Sequence, residues 1–274
     1  MVLPYGQYSY KRLIMKEITN YELVFKRLVQ KTKEYVVNNN IQAMILGISG
    51  GIDSTIVAAI CYEVSVMTGI PLIGRSLPTK FNKEEEVNAA TLVGKAFCTD
   101  FQTVPIGDWC KELYSDFSLV EGEMTPIAKG NIQARFRMMY LYNLASINKG
   151  IVMDTDNLTE NNLGYWTLHG DVGDFNPIGG LWKTEIFKLA EVLIKLYGIH
   201  SDVLSHTHGI IRELQKIDAV AASLRLKPTA GLGITNNDLE ELGAESYEQV
   251  DAILQEILAW KWLSNERGDF PESI

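Results

Sequence analysis

The sequence predicts an α/β fold, with a doubly wound, mostly parallel sheet and helices on both of its faces. Short apolar runs alternate with longer amphipathic ones along the 274 residues, as in domains that pack helices around a sheet. The run 43–48 is apolar at almost every position, which indicates a strand buried on both faces. A glycine-rich turn follows this run and leads directly into a helical pattern.

Each element is predicted from the spacing of its apolar residues. Short apolar runs predict four strands, over 43–48, 72–77, 101–106 and 151–153. Apolar residues three or four positions apart predict helices around them, over 17–38, 54–67, 83–96, 131–147, 183–197, 210–224 and 247–263. Ser246 comes directly before the last predicted helix, and Gln249 lies three residues after Ser246, which is the spacing of a capping box. No repeat or linker composition divides the chain, so we predict one domain over 1–274.

Composition and charge exclude several classes of protein. Hydrophobic residues make up 46% of the chain and charged residues 22%, which is close to globular averages and argues against disorder or fibrous repeats. The 25 basic and 34 acidic residues give a net charge of −9, which argues against nucleic acid as a partner. Ten acids and two bases lie in 236–274, so the rest of the chain is close to neutral.

The three cysteines indicate a reducing compartment. Cys61, Cys98 and Cys110 form no CxxC pair and no zinc-like cluster, so we interpret them as small buried hydrophobic residues. No segment approaches the roughly 20 apolar residues of a membrane-spanning helix, and the first residues have no signal-peptide core. We therefore expect a cytoplasmic protein that does not associate with membranes.

A candidate nucleotide-binding loop, Ser-Gly-Gly-Ile-Asp-Ser, lies between the first predicted strand and the next helix. Gly50 and Gly51 allow backbone N–H groups to approach a phosphate, and the helix presents its positive N-terminal end to the same anion. Ser49 and Ser54 add hydroxyl donors, and Asp53 offers a hard oxygen ligand for Mg²⁺. The segment matches neither GxxxxGK[ST] nor GxGxxG. A simple helix-capping turn is the structural alternative.

Two cations near the end of the second predicted strand have two interpretations. Arg75 and Lys80 lie on either side of Leu77 and Pro78, at the edge of the sheet where ligands bind. They either reach the phosphates or adenine of a nucleotide, or they belong to an ordinary charged surface.

The loop at 49–54 resembles the pyrophosphate loop of the ATP pyrophosphatases, whose fold is described as adenine nucleotide alpha-hydrolase-like. These enzymes cleave ATP to AMP and pyrophosphate while they adenylate a substrate. Segments further along the chain are similar, in the same order, to motifs of the ammonia-dependent NAD synthetases. The similar segments are KGNIQARFRM at 129–138, TDNLTE at 155–160, GYWT, GD and DFNP within 164–177, LWKT at 181–184, KPTA at 227–230 and LGAESYEQVD at 242–251.

The resemblance implies a role for each matching residue. Asp53, Glu160 and Lys183 are implied to be catalytic, and the two carboxylates are implied to share Mg²⁺. The residues implied to bind ATP are Ser49, Gly50, Gly51, Asp53, Ser54, Leu77, Thr155, Lys183 and Thr229. Those implied to bind the deamidated dinucleotide are Asn131, Arg135, Asp171 and Asp174. Since parallel strands end at one edge of a sheet, the physical argument agrees that Asp53 and Glu160 converge.

The implied reaction is amidation of nicotinic acid adenine dinucleotide to NAD, with ATP as co-substrate and Mg²⁺ as cofactor. The acceptor carboxylate is adenylated and ammonia then displaces AMP, so no residue acts as a covalent nucleophile. Free ammonia is the expected donor, because one domain of 274 residues leaves no room for a glutaminase and no cysteine has the context of a nucleophile. The resemblance also implies a homodimer.

Several positions depart from the pattern of the NAD synthetases. Asp154 stands where glycine is usual, Leu168 where a lysine is common, and the loop from Asp171 to Asp174 is one residue shorter. A helical insertion is expected around 199–226, and the usual His-Lys tail is absent. Two alternatives stay open. One is another ATP pyrophosphatase that amidates or thiolates a different acceptor, and the other is a catalytically silent nucleotide-binding paralogue.

Overall fold

The computed structural model describes residues 18–164, 166–203, 207–226 and 246–255. In this part of the chain, four parallel strands form the central sheet: β1 (Met44–Gly47), β2 (Leu72–Ser76), β3 (Asp100–Thr103) and β4 (Ile151–Val152). Their order across the sheet is β3-β2-β1-β4. Ile45 pairs with Ile73 on one side and with Val152 on the other, so β1 is hydrogen-bonded along both edges. The four predicted strands are confirmed, with bounds that shift by up to three residues.

The helices connect and follow these strands. In chain order they are α1 (Tyr21–Asn38), α2 (Ile52–Thr68), α3 (Glu84–Phe97), α4 (Gly107–Glu121), α5 (Pro126–Asn148), α6 (Leu158–Leu163), α7 (Lys183–Val203) and α8 (Thr207–Arg225). A further helical segment covers 247–255. All seven predicted helices are confirmed within the described residues, and the remainder of the last one, 256–263, lies outside them.

Two helices lie where the sequence analysis predicts none. Along its length α4 buries only Cys110, although Trp109, Leu113, Phe117 and Val120 recur at the spacing of a helix. The six residues of α6 begin after Asn157, whose side chain accepts from Glu160 N while Glu160 Oε2 accepts from Asn157 N. This capping box satisfies N–H groups that so short a helix otherwise leaves unpaired.

Side chains of the sheet alternate between two hydrophobic cores, one on each face. Met44 and Leu46 belong to the larger core, together with residues of α1, α2, α3, α7 and α8. Ala43 and Ile45 belong to the second core, which α4 and α5 cover. Because successive strand residues point to opposite faces, this division confirms the predicted doubly wound fold.

The turn after β1 requires glycine at one position. Gly50 has a φ of 88°, in the left-handed region that other residues rarely adopt. A Cβ at Gly50 would lie 2.5 Å from the carbonyl oxygen of Glu86 and 2.9 Å from the nitrogen of Ala90. The turn therefore packs directly against the backbone of α3, which fixes the start of α2 at the end of β1.

The helix predicted over 210–224 is confirmed as α8, which packs against α7 and α3. That 199–226 is an insertion, and that the chain forms one domain, stay predictions. Thr229 and the chain beyond 255 lie outside the described residues. In the part of the chain that is described, no helix is both long and apolar enough to cross a membrane.

Candidate active site

A cleft of about 340 Å³ lies at the carboxyl edge of the sheet, where β1, β2 and β4 end. Parallel α/β sheets bind their ligands at this edge, and the volume suits a small molecule. The predicted site residues that line the cleft are Ser49, Gly51, Asp53, Ser54, Leu77, Thr155, Glu160, Asp171 and Lys183. The fold thus brings together nine residues from distant parts of the sequence.

Hydroxyl groups hold the predicted nucleotide-binding loop. Ser49 Oγ accepts from Gly51 N at 3.1 Å and lies 3.1 Å from Ser54 Oγ. Ser54 Oγ donates to the carbonyl of Gly51 at 3.0 Å. No described side chain caps the N-terminus of α2. The first N–H groups of α2 are therefore available to an anion such as a phosphate in the cleft.

Three charged side chains from three helices meet beside this loop. Lys183 Nζ, at the start of α7, contacts Asp53 Oδ2 of α2 and lies 3.5 Å from Glu160 Oε1 of α6. Lys183 is only 4% exposed. Two carboxylates share one ammonium group, so the cluster keeps an excess of negative charge when both carboxylates are ionised.

Asn157 fixes the positions of both carboxylates. Its Nδ2 donates to Asp53 Oδ1 at 3.1 Å, and its backbone N–H donates to Glu160 Oε2 at 3.1 Å. The sequence analysis missed this residue. The spacing Asn157-x-x-Glu160 is that of a capping box, which is a signal that could have found it.

A second layer of hydrogen bonds holds the backbone of Lys183. Thr159 Oγ1 accepts from Lys183 N at 2.9 Å and donates to Asp251, which also accepts from Thr184 Oγ1 at 2.8 Å. Asp251 belongs to the helical segment 247–255, so that segment joins α6 to the start of α7. The sequence analysis assigns Asp251 no role, although it closes the segment LGAESYEQVD.

Burial changes the pKa values of these groups. Burial and the charge of Asp53 raise the pKa of Glu160 to about 7, against the opposing effect of Lys183. Burial disfavours the ammonium form of Lys183, but Asp53 and Glu160 outweigh it and raise the pKa of Lys183. Burial, together with the charges of Asp154 and Glu160, raises the pKa of Asp156 to about 8. Lys183 is therefore charged at neutral pH, while Glu160 and Asp156 lie close to their titration points.

The donor set in the cleft fits Mg²⁺. Asp53 and Glu160 supply carboxylate oxygens, and Asp156 Oδ2 is buried at the cleft without a hydrogen-bond partner among the described residues. Within those same residues, no three His, Cys, Asp or Glu side chains are grouped closely enough to enclose a metal ion. Mg²⁺ is commonly held by one or two carboxylates together with water and substrate phosphates, so Asp53 and Glu160 are the residues that could hold it beside a bound nucleotide.

We expect Asp156→Asn to stabilise the metal-free chain by an amount that grows as the pH rises from about 4 to about 8. The pKa of Asp156 is raised on folding, so over this range the unfolded chain loses a proton that the folded chain keeps, and the wild type loses stability. Asparagine has no such proton. Urea denaturation in EDTA at about pH 5, 7 and 9 measures the difference in free energy of unfolding. A difference that does not change with pH would contradict this assignment.

Among the residues predicted to bind the dinucleotide, Asp171 lines the cleft and accepts from Thr167 N at 2.7 Å. Four other predicted residues lie outside the lining of the cleft, and Arg135 is one of them. Gly50 packs against α3, Asn131 Oδ1 accepts from Thr167 Oγ1 at 2.9 Å, and Asp174 Oδ2 accepts from Val152 N at 2.8 Å. The carboxylate of Asp174 is therefore engaged with β4.

The two arginines of α5 lie in different places. Arg137 lines the cleft and donates through Nε to the carbonyl of Leu77 at 3.0 Å. Arg135 is exposed and donates through Nε to the carbonyl of Leu168 at 3.2 Å, in an outer groove that Trp166 also lines. Of the two arginines of α5, Arg137 therefore lies in the cleft and Arg135 does not.

Arg75 of β2 is buried, which excludes an ordinary charged surface as the interpretation of this residue. It is 5% exposed, its Nη2 donates to Asp100 at 2.7 Å, and it lines the cleft. Lys80 is exposed, with its Nζ over the ring of Phe81. Arg75 can therefore contribute to the charge of the cleft, whereas Lys80 belongs to the surface.

The comparisons with known proteins identify the family. The model of the NAD synthase family matches residues 24–268. The NH(3)-dependent NAD(+) synthetase of Methanocaldococcus jannaschii is 30% identical over 261 residues, which cover 95% of this chain and 85% of that protein. The chain belongs to the NAD synthase family. The predicted resemblance is confirmed.

Two further relatives show the breadth of the NAD synthase family. The glutamine-dependent NAD(+) synthetase of Aquifex aeolicus is 32% identical over 171 residues, which cover 62% of this chain and 30% of that protein. The structure of NMN synthetase from Francisella tularensis matches with a TM-score of 0.69 and 25% identity, over 94% of this chain and 99% of that one. The fold of this chain is thus that of the NAD synthase family.

Proposed function

We propose that the chain is a ligase that forms a carbon–nitrogen bond, converting deamido-NAD to NAD with ATP as co-substrate and ammonia as donor. The observation that carries this proposal is the convergence of Asp53, Glu160 and Lys183 beside the phosphate loop, in a member of the NAD synthase family. The similarity to the NH(3)-dependent synthetase of M. jannaschii, over most of both chains, supports it.

The reaction takes two steps, because a carboxylate is a poor electrophile. In the first step, a carboxylate oxygen of the acceptor attacks the α-phosphorus of ATP, and pyrophosphate leaves. In the second step, ammonia attacks the carboxyl carbon and loses a proton, and AMP leaves with the former carboxylate oxygen. No side chain forms a covalent bond, so catalysis depends on positioning and on neutralising charge.

The cleft residues have separate roles in the first step. The N–H groups at the start of α2 and the hydroxyls of Ser49 and Ser54 bind the phosphates. Lys183 neutralises the charge that develops on the departing pyrophosphate. Asp53 and Glu160 would hold Mg²⁺, which offsets phosphate charge when bound. The remaining proposed ATP contacts are Gly50, Gly51, Leu77, Thr155 and Thr229.

The buried thiols support ammonia as the nitrogen donor. Burial raises the pKa of Cys61, of Cys110 and of Cys98, the last to about 12, so none of these thiols is a ready nucleophile for releasing ammonia from glutamine. All three are free, which also supports the proposed cytoplasmic location.

We expect ammonium, and not glutamine, to support turnover of the pure chain. With Mg·ATP and deamido-NAD, saturating ammonium should give NAD, AMP and pyrophosphate in equal amounts. Chromatography of the same mixture with glutamine in place of ammonium should show NAD at background. Equal rates with the two donors would contradict the proposed donor.

The acceptor is tested in the same assay. NMN synthetase from F. tularensis is a structural relative over nearly the full length of both chains, which makes nicotinate mononucleotide a second candidate acceptor. Each acceptor is supplied alone at equal concentration, and kcat/KM is compared. A higher kcat/KM for deamido-NAD supports the proposal. Amidation of the mononucleotide alone would replace it, and no turnover with either acceptor would favour a silent nucleotide-binding protein.

A homodimer is the proposed assembly, and the outer groove beside Arg135 supports it. Exposed apolar side chains surround this groove, and such clusters mark interaction surfaces. They are Met139, Tyr142, Trp166, Leu168 and Val172. Sedimentation equilibrium at micromolar concentration should give twice the mass of one chain, and a single-chain mass would contradict the dimer.

Asn131, Arg135 and Asp174 are proposed acceptor contacts alongside Asp171.

A further inference from the structure

Asp154 connects the two halves of the site through its side chain. It lies two residues after the end of β4 and is 5% exposed. Its Oδ1 accepts from the backbone N–H of Asp156 at 2.8 Å, and its Oδ2 accepts from the backbone N–H of Gly173 at 3.1 Å. Asp156 lies in the segment that leads to the proposed metal ligand Glu160, and Gly173 lies in the loop that carries Asp171.

A reciprocal contact runs in the opposite direction. Asp174 Oδ2 accepts from Val152 N at 2.8 Å, and Asp174 N donates to the carbonyl of Val152 at 2.8 Å. Asp154 N donates to the carbonyl of Phe175 at 2.9 Å. The segment 173–175 therefore lies alongside the end of β4 like a short additional strand, held by one carboxylate from each side.

This approach is close enough to require glycine in the loop. A Cβ at Gly173 would lie 2.8 Å from Asp154 N and 2.8 Å from the carbonyl oxygen of Val152. A glycine at 154 would have no side chain to accept from Gly173 N. The carboxylate of Asp154 and the close backbone approach at Gly173 therefore form one structural unit.

We propose that Asp154 is a positioning residue that fixes the acceptor loop, 171–174, relative to the segment carrying the metal-binding carboxylate. It touches neither the proposed ATP phosphates nor the reacting carboxyl. Its effect passes through Gly173 to Asp171, which lines the cleft. The test by KM values rests on the proposed function. The test by hydrogen exchange depends on the structure alone.

The experiment compares Asp154→Gly and Asp154→Asn with the wild type. The glycine variant loses both accepted hydrogen bonds, whereas asparagine can accept with its single oxygen. We expect Asp154→Gly to raise the KM for the acceptor about tenfold while the KM for ATP stays within about twofold, with a smaller shift for Asp154→Asn. A merely structural role would instead lower stability without separating the two KM values.

Hydrogen exchange supplies a readout that does not depend on activity. In Asp154→Gly, peptides that cover 171–175 should exchange faster than in the wild type, while those of α3 should not change. Val93→Ala, in the buried face of α3, is the control for general destabilisation and should leave both KM values and the exchange of 171–175 unaltered. Unchanged exchange at 171–175, or parallel changes in both KM values, would overturn the proposal. If the wild type fails to amidate deamido-NAD, the exchange result still decides the role of Asp154.

Discussion

Replacing Lys183 by methionine should lower kcat for the amidation by about a factor of 10²–10³. Lys183 Nζ contacts Asp53 and lies 3.5 Å from Glu160, so its removal leaves two carboxylates facing each other and the departing pyrophosphate without its cation. Leaving one partner of a buried charge cluster unpaired is also destabilising. The measurement is pyrophosphate release at saturating ATP, acceptor and ammonium, corrected for the folded fraction.

Lys216→Met is the matched control for this variant. Lys216 of α8 is a second buried lysine, 3% exposed, with Glu213 at 2.7 Å and the ring of Tyr62 at 4.2 Å. It lies outside the cleft lining, so the control should lose stability and keep its kcat. Retention of more than a tenth of the activity by Lys183→Met, or an equal loss in the control, would contradict the role of Lys183.

Removing either proposed metal ligand should reduce pyrophosphate release to a small fraction of the wild-type rate. Asp53→Asn and Glu160→Gln each keep the shape of the side chain and remove its negative charge, and the contacts to Asn157 can largely be kept. We expect each variant to lose about 10²–10³ in kcat, and the double variant to lose little more, because the two carboxylates act as one unit.

The Mg²⁺ dependence of turnover distinguishes the loss of a metal ligand from a general loss of structure. At fixed ATP, the Mg²⁺ concentration for half-maximal turnover should rise in any variant with residual activity. Asp116→Asn and Glu112→Gln, both exposed on α4, make the same chemical changes elsewhere and should leave turnover unaltered. Near-normal turnover in Asp53→Asn or Glu160→Gln would contradict the proposed metal site.

Local signals were sufficient for much of the fold and for the phosphate loop. The strand at 43–48 and the glycine turn after it are short-range features, because burial on both faces and a positive φ each leave a mark on a few adjacent residues. Helix α4 also left such a mark, in the helical spacing of Trp109, Leu113, Phe117 and Val120, which was not used to predict it. The cap at Asn157 left another, in its spacing to Glu160, and this was not used either.

Contacts between distant segments could not be predicted in the same way. The contact of Lys183 with Asp53 spans 130 positions, and only the docking of α7 against α2 creates it. Arg135 and Arg137 lie on opposite sides of the buried stripe of α5, so the packing of that helix decides which one enters the cleft. The pairing of buried Arg75 with Asp100 depends in the same way on the register of β2 and β3.

The central claim is that the acceptor carboxylate is activated by adenylation in this cleft, and oxygen transfer tests it most directly. Deamido-NAD labelled with ¹⁸O at both oxygens of the pyridine carboxylate is incubated with the chain, Mg·ATP and ammonium, and the masses of the products are measured by mass spectrometry. The carboxylate oxygen that attacks the α-phosphorus should leave with AMP, so each AMP should carry one ¹⁸O and pyrophosphate none. Label in pyrophosphate or phosphate, or AMP formed without label, would contradict the account.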